Sequence, residues 1–174
     1  MKPVEVRKAN IEDASRIALV HVRSWQVAYR GHMPDEFLDG LDPEKRAEMW
    51  RQLTQNPDKI VLVAEDDENI VGLCAAGASR DPDANPKTAE IGAIYVQAEK
   101  WRTGVGRALL SAALEQLRNR QFEEVTLWVL KPNQRARSFY ASFGFMPDGA
   151  VQDNDDWKTI RIREFRYRLS LRVI

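Results

Sequence analysis

The stretch Trp101-Arg102-Thr103-Gly104-Val105-Gly106 follows an apolar run ending at Val96 and opens an amphipathic segment that continues through Arg107. Two glycines at a helix start leave the backbone open to a ligand. The orphan N–H groups there, at the positive end of the helix dipole, favour a phosphate. Arg102 and Arg107 add cations able to make charge-assisted bonds to the same oxygens. The same glycines would equally permit close packing of helix on sheet, and the pair alone does not choose between the two. A dinucleotide-binding turn fits less well, because the third glycine is missing and the strand before the loop is the fourth of the chain.

A second block, Asn133 to Phe145, reads as a short helix. Asn133 is placed to cap it, and Gly144 just beyond it suits a left-handed terminus. Ala136, Phe139, Tyr140 and Phe143 fall on one face, a stripe that suits core packing as well as chemistry, and Tyr140 carries its one ionisable group. Glu90, early in the fourth strand, is either a solvated or ion-paired carboxylate or a base. His21 and His32 are isolated histidines. Neither they nor Cys74 has metal-ligand spacing, and no serine or cysteine sits on a nucleophile elbow.

These residues need elements to hold them. A strand from Pro3 to Arg7 precedes a helix opened by Asn10 and Asp13, a capping pair, with Ile11, Ala14, Ala18, Val22, Trp25 and Tyr29 on one face and Gly31 at its end. Helical segments Pro34 to Leu41 and Asp42 to Gln55 follow. Lys59 to Glu65 and Ile70 to Ser79 form a hairpin across Asp66 to Asn69. Strand Ala89 to Val96, helix Gly104 to Arg120 and strand Glu124 to Leu130 make a parallel pair with a crossover. Helix Asn133 to Phe143 and two strands complete a mixed, mostly antiparallel sheet with helices on both faces.

Composition narrows the function classes. With 26 Lys and Arg against 26 Asp and Glu, the 174-residue chain has no net field for a nucleic-acid backbone or an anionic membrane. A single cysteine rules out an intrachain disulfide and suits a reducing, cytoplasmic setting. The N-terminus lacks the apolar core of a signal peptide, and no apolar run is long enough to span a bilayer. No linker or repeat interrupts residues 1–174, which read as one domain. Arg161, Arg163, Arg166 and Arg168, preceded by Asp148, Asp153, Asp155 and Asp156, suggest a charged edge strand, or secondarily a site for an acidic acceptor.

The two blocks, in this order, resemble the GNAT N-acetyltransferase superfamily. The loop is similar to its Gln/Arg-x-x-Gly-x-Gly/Ala motif, with Trp101 standing where Gln or Arg is usual, and the second block to Asn-x-x-Ala-x-x-x-Tyr-x-x-x-Gly-Phe. The resemblance implies an α/β (α+β) GNAT fold: a central mixed sheet of about seven strands, splayed between the fourth and fifth, with about four helices on its two faces. It implies an acetyltransferase that moves acetyl from acetyl-CoA to a small-molecule or protein amine in a ternary complex, as a monomer or homodimer, without metal. By the same resemblance Ile94, Tyr95 and Val96 pair with the pantetheine arm, and the Val96 N–H receives the thioester oxygen. Arg102, Thr103, Gly104, Val105, Gly106 and Arg107 hold the pyrophosphate, Asn133 touches CoA, Tyr140 is the acid for the leaving thiolate and Glu90 the base. The acceptor would meet Trp25, Tyr29, His32 and Phe37. Trp128 stands where the branch modifying ribosomal-protein N termini tends to have Glu. A non-catalytic acyl-CoA-binding regulatory module is the alternative.

Overall fold

The computed structural model describes residues 4–154 and 162–172. The chain divides into two compact units, Met1–Gly77 with Ile91–Arg120 and Ala78–Glu90 with Gln121–Ile174.

The first unit contains β1 (Glu5–Lys8), a 3₁₀ turn (Ile11–Asp13), α1 (Ala14–Ala28), α2 (Asp35–Asp39), α3 (Pro43–Gln55) and β2 (Ile60–Asp66). It also holds β3 (Asn69–Ala78) up to Gly77, the latter part of β4 (Thr88–Val96), and α4 (Val105–Asn119). β1 and β3 flank β2, both antiparallel to it. Asp67 and Glu68, at φ 47° and 66°, turn the β2–β3 hairpin in the left-handed region, the twist that two-residue hairpins favour. Ile17, Ala18, Trp50, Val61, Val63 and Leu73 pack into one buried cluster. The helix face expected on α1 holds from Ala14 to Trp25, but Ile11 is 42% exposed, because the 3₁₀ turn places it out of phase with the helix. The helix also ends at Ala28, short of Gly31.

The start of α1 is tied to the sheet by charge. Asn10 and Asp13 exchange the two bonds of a capping box, at 3.2 Å and 2.9 Å. The fully buried Asp13 carboxylate also takes a two-pronged bond from Arg7, at 2.7 Å and 2.9 Å, and one from Arg16 at 2.7 Å. Arg7 reaches on to Glu65 of β2.

The second unit contains the start of β4, β5 (Glu124–Leu130), α5 (Gln134–Ala141), β6 (Met146–Asn154) and β7 (Ile162–Ser170). β4 and β5 run parallel over three residue pairs, Thr88 to Glu90 against Glu124 to Thr126. β7 pairs antiparallel with both β5 and β6. The sheet order is β1-β2-β3-β4-β5-β7-β6, and the described residues form seven strands and five α-helices.

This order corrects the reading of the last strand. β7 lies between β5 and β6 and is not an edge. Arg166 is 7% exposed and meets Asp83 at 2.6 Å and 2.7 Å, Asp148 at 2.8 Å and Asp81 at 3.2 Å. Arg168 pairs with Glu124 and Asp148, and Arg163 with Asp153. Asp148 and Asp153, which precede the arginines in sequence, are their partners, so among the described residues neither a basic patch nor an acidic-acceptor site forms there. Arg161, Asp155 and Asp156 lie outside the described residues.

Arg7 holds the Asp13 carboxyl down at about 2, well below its ordinary value. A depressed carboxyl stabilises the fold above its unfolded pKa, near 4, and that contribution is lost as pH falls toward 2. Asp13→Asn is expected to lower unfolding free energy by about 3 kcal/mol at pH 7, because Arg7 keeps a charge with half its partners gone. In urea titrations the gap to the parent protein should narrow between pH 4 and pH 2.

Candidate active site

In the first unit, β2 and β3 feed a buried core, and Ala93 and Tyr95 from the end of β4 pack against it without being enclosed. Ile91 is buried, yet Ala93, Ile94, Tyr95 and Val96 are each only half-buried despite their apolar character. Apolar strand residues left partly open mark a surface shaped for a ligand. After β4 a short 3₁₀ turn, Ala98–Lys100, leads to the glycine loop.

In that loop Arg102 has φ 63° and Gly104 φ 96°, both left-handed. Such turns direct successive N–H groups to one side, a concavity that suits anions. α4 starts at Val105 without a side-chain cap and without an acid in its first turn. Its first intrahelical bond runs from the Ala108 N–H to the Gly104 carbonyl at 2.9 Å, so the N–H groups of Val105 and Gly106 precede the helical ladder.

A Cβ added at Gly104 would meet nothing within 4 Å. The packing explanation therefore fails for this glycine. The close approach of helix to sheet is instead at Gly72, where a Cβ would come within 2.9 Å of Leu109 and 3.1 Å of Val105. The loop thus has the open backbone, the helix dipole and the neighbouring Arg102 and Arg107 that a pyrophosphate requires. Thr103 turns its hydroxyl to the Lys100 carbonyl at 2.8 Å, where it shapes the loop.

Among the aromatic candidates of the first unit, Trp25 is buried, with its ring edge-on to Tyr29 at 5.2 Å and to Tyr95 at 6.2 Å. Phe37 is half-buried and His32 is exposed. His21 lies stacked on Tyr95 at 4.6 Å and accepts the Trp50 indole N–H on Nδ1 at 3.2 Å. Burial lowers its pKa to about 3, so His21 is a neutral packing residue and a weak base.

In the second unit, Asn133 caps α5 by accepting the Ala136 N–H at 3.1 Å, and Gly144 ends that helix at φ 91°. Tyr140 is 8% exposed, with Phe139 at 5.5 Å and Phe145 at 6.0 Å. Glu90 is 7% exposed and its carboxylate is ion-paired with Arg80, whose own side chain is 76% exposed. Trp128 donates its indole N–H to Asp81 at 2.9 Å and lies under Arg166. Among the described residues no group of His, Cys, Asp or Glu is arranged to hold a metal ion.

Three participants escape a reading of motifs. Ser24 donates to the Val96 carbonyl at 3.2 Å, the Trp101 indole N–H donates to the same oxygen at 2.9 Å, and Arg80 holds Glu90. Trp101 was visible only as a departure from a pattern. Ser24, in mid-helix, carried no signal at all. The pairing of Arg80 with Glu90 across ten residues depends on a loop conformation that composition does not encode.

Comparison with known proteins completes the picture. The family model described as "Acetyltransferase (GNAT) family" matches residues 22–145. YuaI of Bacillus subtilis, an uncharacterised N-acetyltransferase, is 32% identical over 162 residues, covering 92% of this chain and 90% of that one. The spermidine N(1)-acetyltransferase of Thermoplasma acidophilum is 26% identical over 157 residues, covering 87% and 91%. The fold of PaiA N-acetyltransferase from the same organism, crystallised with coenzyme A, superposes with a TM-score of 0.77 at 24% identity, over 97% of this chain and 99% of that one.

The fold and the two motif blocks define an acyl-CoA-dependent transferase. The chain belongs to the GNAT family: it is an N-acetyltransferase, with acetyl-CoA as donor and an amine as acceptor.

A methyl group at Gly104 would fill the open space over the loop and strain a left-handed residue by about 1 kcal/mol. Gly104→Ala is expected to weaken CoA binding about tenfold in calorimetric titration, corresponding to about 1.4 kcal/mol, while the melting transition moves only slightly.

Proposed function

We propose that the half-buried end of β4 and the uncapped start of α4 together seat acetyl-CoA, and that Tyr140 and Glu90 handle the protons of the transfer. The observation that carries this reading is the open, left-handed Gly104 in front of a helix of 15 residues with no side-chain cap. In this reading Arg102 to Arg107 hold the pyrophosphate, while Ile94, Tyr95 and Val96 offer main-chain groups to the pantetheine amides. The Val96 N–H lies where the thioester oxygen gains charge, so it lowers the barrier by being aimed in advance. Asn133, already a helix cap, offers its remaining amide hydrogens to CoA.

The amine nitrogen attacks the thioester carbon and the carbon–sulfur bond breaks. The departing sulfur takes the Tyr140 proton, and the proton lost by nitrogen goes to the Glu90 carboxylate, directly or through water. Arg80 must swing aside for that, and its exposed side chain leaves it free to do so. The chain acts as one N-acetyltransferase domain in the cytoplasm, where a single thiol needs no partner. Burial pushes that thiol, Cys74, up to about 12, which removes it from nucleophilic chemistry.

The acceptor is a primary amine that approaches past Trp25, Tyr29, His32 and Phe37. A relative named as a spermidine acetyltransferase makes polyamines the first class to try. Isotope-labelled acetyl-CoA should be offered with separate pools of polyamines, amino acids and peptides, and the labelled pool identifies the acceptor class. Label in no pool, despite measurable CoA binding, would overturn the reading.

Tyr140→Phe is expected to lower kcat by about 10² or more with the KM for acetyl-CoA nearly unchanged, since the lost proton donor acts only in the transition state. Glu90→Gln should flatten the acidic limb of the pH profile of kcat/KM. A limb that persists in the variant assigns proton removal to water or another group.

A further inference from the structure

Val96 is the residue to which the seating proposed above assigns the thioester oxygen, and the structure shows how its backbone is held. The Gln97 N–H donates to the Val71 carbonyl of β3 at 2.9 Å. A trans peptide directs its C=O opposite to its N–H, so the Val96 carbonyl points to the edge of β4 away from β3. On that edge it receives the Trp101 indole N–H at 2.9 Å and the hydroxyl of the buried Ser24 at 3.2 Å. The peptide linking Val96 to Gln97 is thus bonded at both ends, with both oxygen lone pairs in use. On the other side of Val96, the Tyr95 ring is stacked against His21 at an interplanar angle of 19°.

We infer that Trp101 and Ser24 are positioning residues that aim the Val96 N–H at the thioester oxygen by clamping the Val96 carbonyl. The inference rests on the seating of acetyl-CoA proposed above. In an extended strand the N–H and C=O of one residue face the same neighbour, so an incoming chain that pairs with Val96 meets both groups. An unclamped carbonyl there would set partial negative charge beside an oxygen that is itself becoming negative. Two donors on the carbonyl offset that charge and fix the peptide that follows. The N–H is then the group this residue presents to the ligand, held in direction without a bond of its own to the clamp. Trp101 thus has a function at the position where the family usually carries Gln or Arg, and a phosphate-binding cation at that position is not required.

The clamp can be tested without knowing the acceptor. Acetyl-CoA labelled with ¹³C at the thioester carbonyl is bound to the parent protein and to Trp101→Phe, Ser24→Ala and the double variant, and the carbonyl stretch is read by isotope-edited infrared spectroscopy. Unacetylated CoA affinity is measured in parallel. The parent protein is expected to shift the stretch to lower frequency, each single variant to lose part of the shift and the double variant most of it, with CoA affinity within about twofold of the parent, a difference of about 0.4 kcal/mol. Ser24→Thr, which keeps the hydroxyl, should retain the parent shift.

An unchanged shift in the double variant would overturn the inference and leave the proposed seating of acetyl-CoA intact. Loss of CoA affinity in the two single variants would also overturn it, because the two bonds would then serve the cofactor site at large. A parent protein that binds acetyl-CoA with no carbonyl shift would instead overturn the proposed role of Val96 itself.

Discussion

The opening N–H groups of an α-helix have no partner within the helix, and a folded chain must give them one. Here several helix starts are supplied from the chain itself. Asn10 and Asp13 close the turn before α1, Asp42 accepts the Glu44 N–H at α3, and Asn133 accepts the Ala136 N–H at α5. α4 is different. Its first turn is left open after a left-handed glycine, and its stability comes from the buried face Val105, Leu109, Leu110, Ala113, Leu114 and Leu117. A helix anchored by packing can leave its terminus to a ligand, whereas a helix that relies on its cap cannot.

β4 shows the same division of labour within one strand. Its first three residues pair with β5 and complete the ladder of the second unit, while Ala93 to Val96 in the first unit stay half-buried. Backbone polar groups on such a segment must be satisfied by something other than a full sheet. At Val96 the carbonyl is satisfied by side chains from α1 and from the glycine loop. The glycine loop therefore also holds the strand beside it, through the indole of Trp101.

Charge is used locally. A net charge of zero hides two dense networks, one in each unit. Asp13 gathers Arg7 and Arg16 in the first, and Arg166 gathers Asp81, Asp83 and Asp148 in the second. Each places a buried ion among opposite charges and hydrogen bonds, the arrangement that makes burial tolerable. The pairing consumes charges that looked in sequence like a surface patch.

The sequence alone determined the elements and the chemistry class, because both are local. The strand limits Glu124–Leu130, the helix Pro43–Gln55 behind its Asp42 cap, the left-handed Gly144 and the Asn133 cap all follow from spacing and side-chain type within a few residues. The two motif blocks pointed to the GNAT family for the same reason. Tertiary structure decided what depends on distant partners: that β7 is an inner strand, that Glu90 meets Arg80, and that the Trp101 and Ser24 side chains meet on one carbonyl oxygen although 77 positions separate them. It also placed open space at Gly104 and a tight contact with α4 at Gly72, neither of which is visible in the sequence. Local patterns carry backbone conformation, whereas the geometry of a site depends on side chains brought together from elements far apart in the chain.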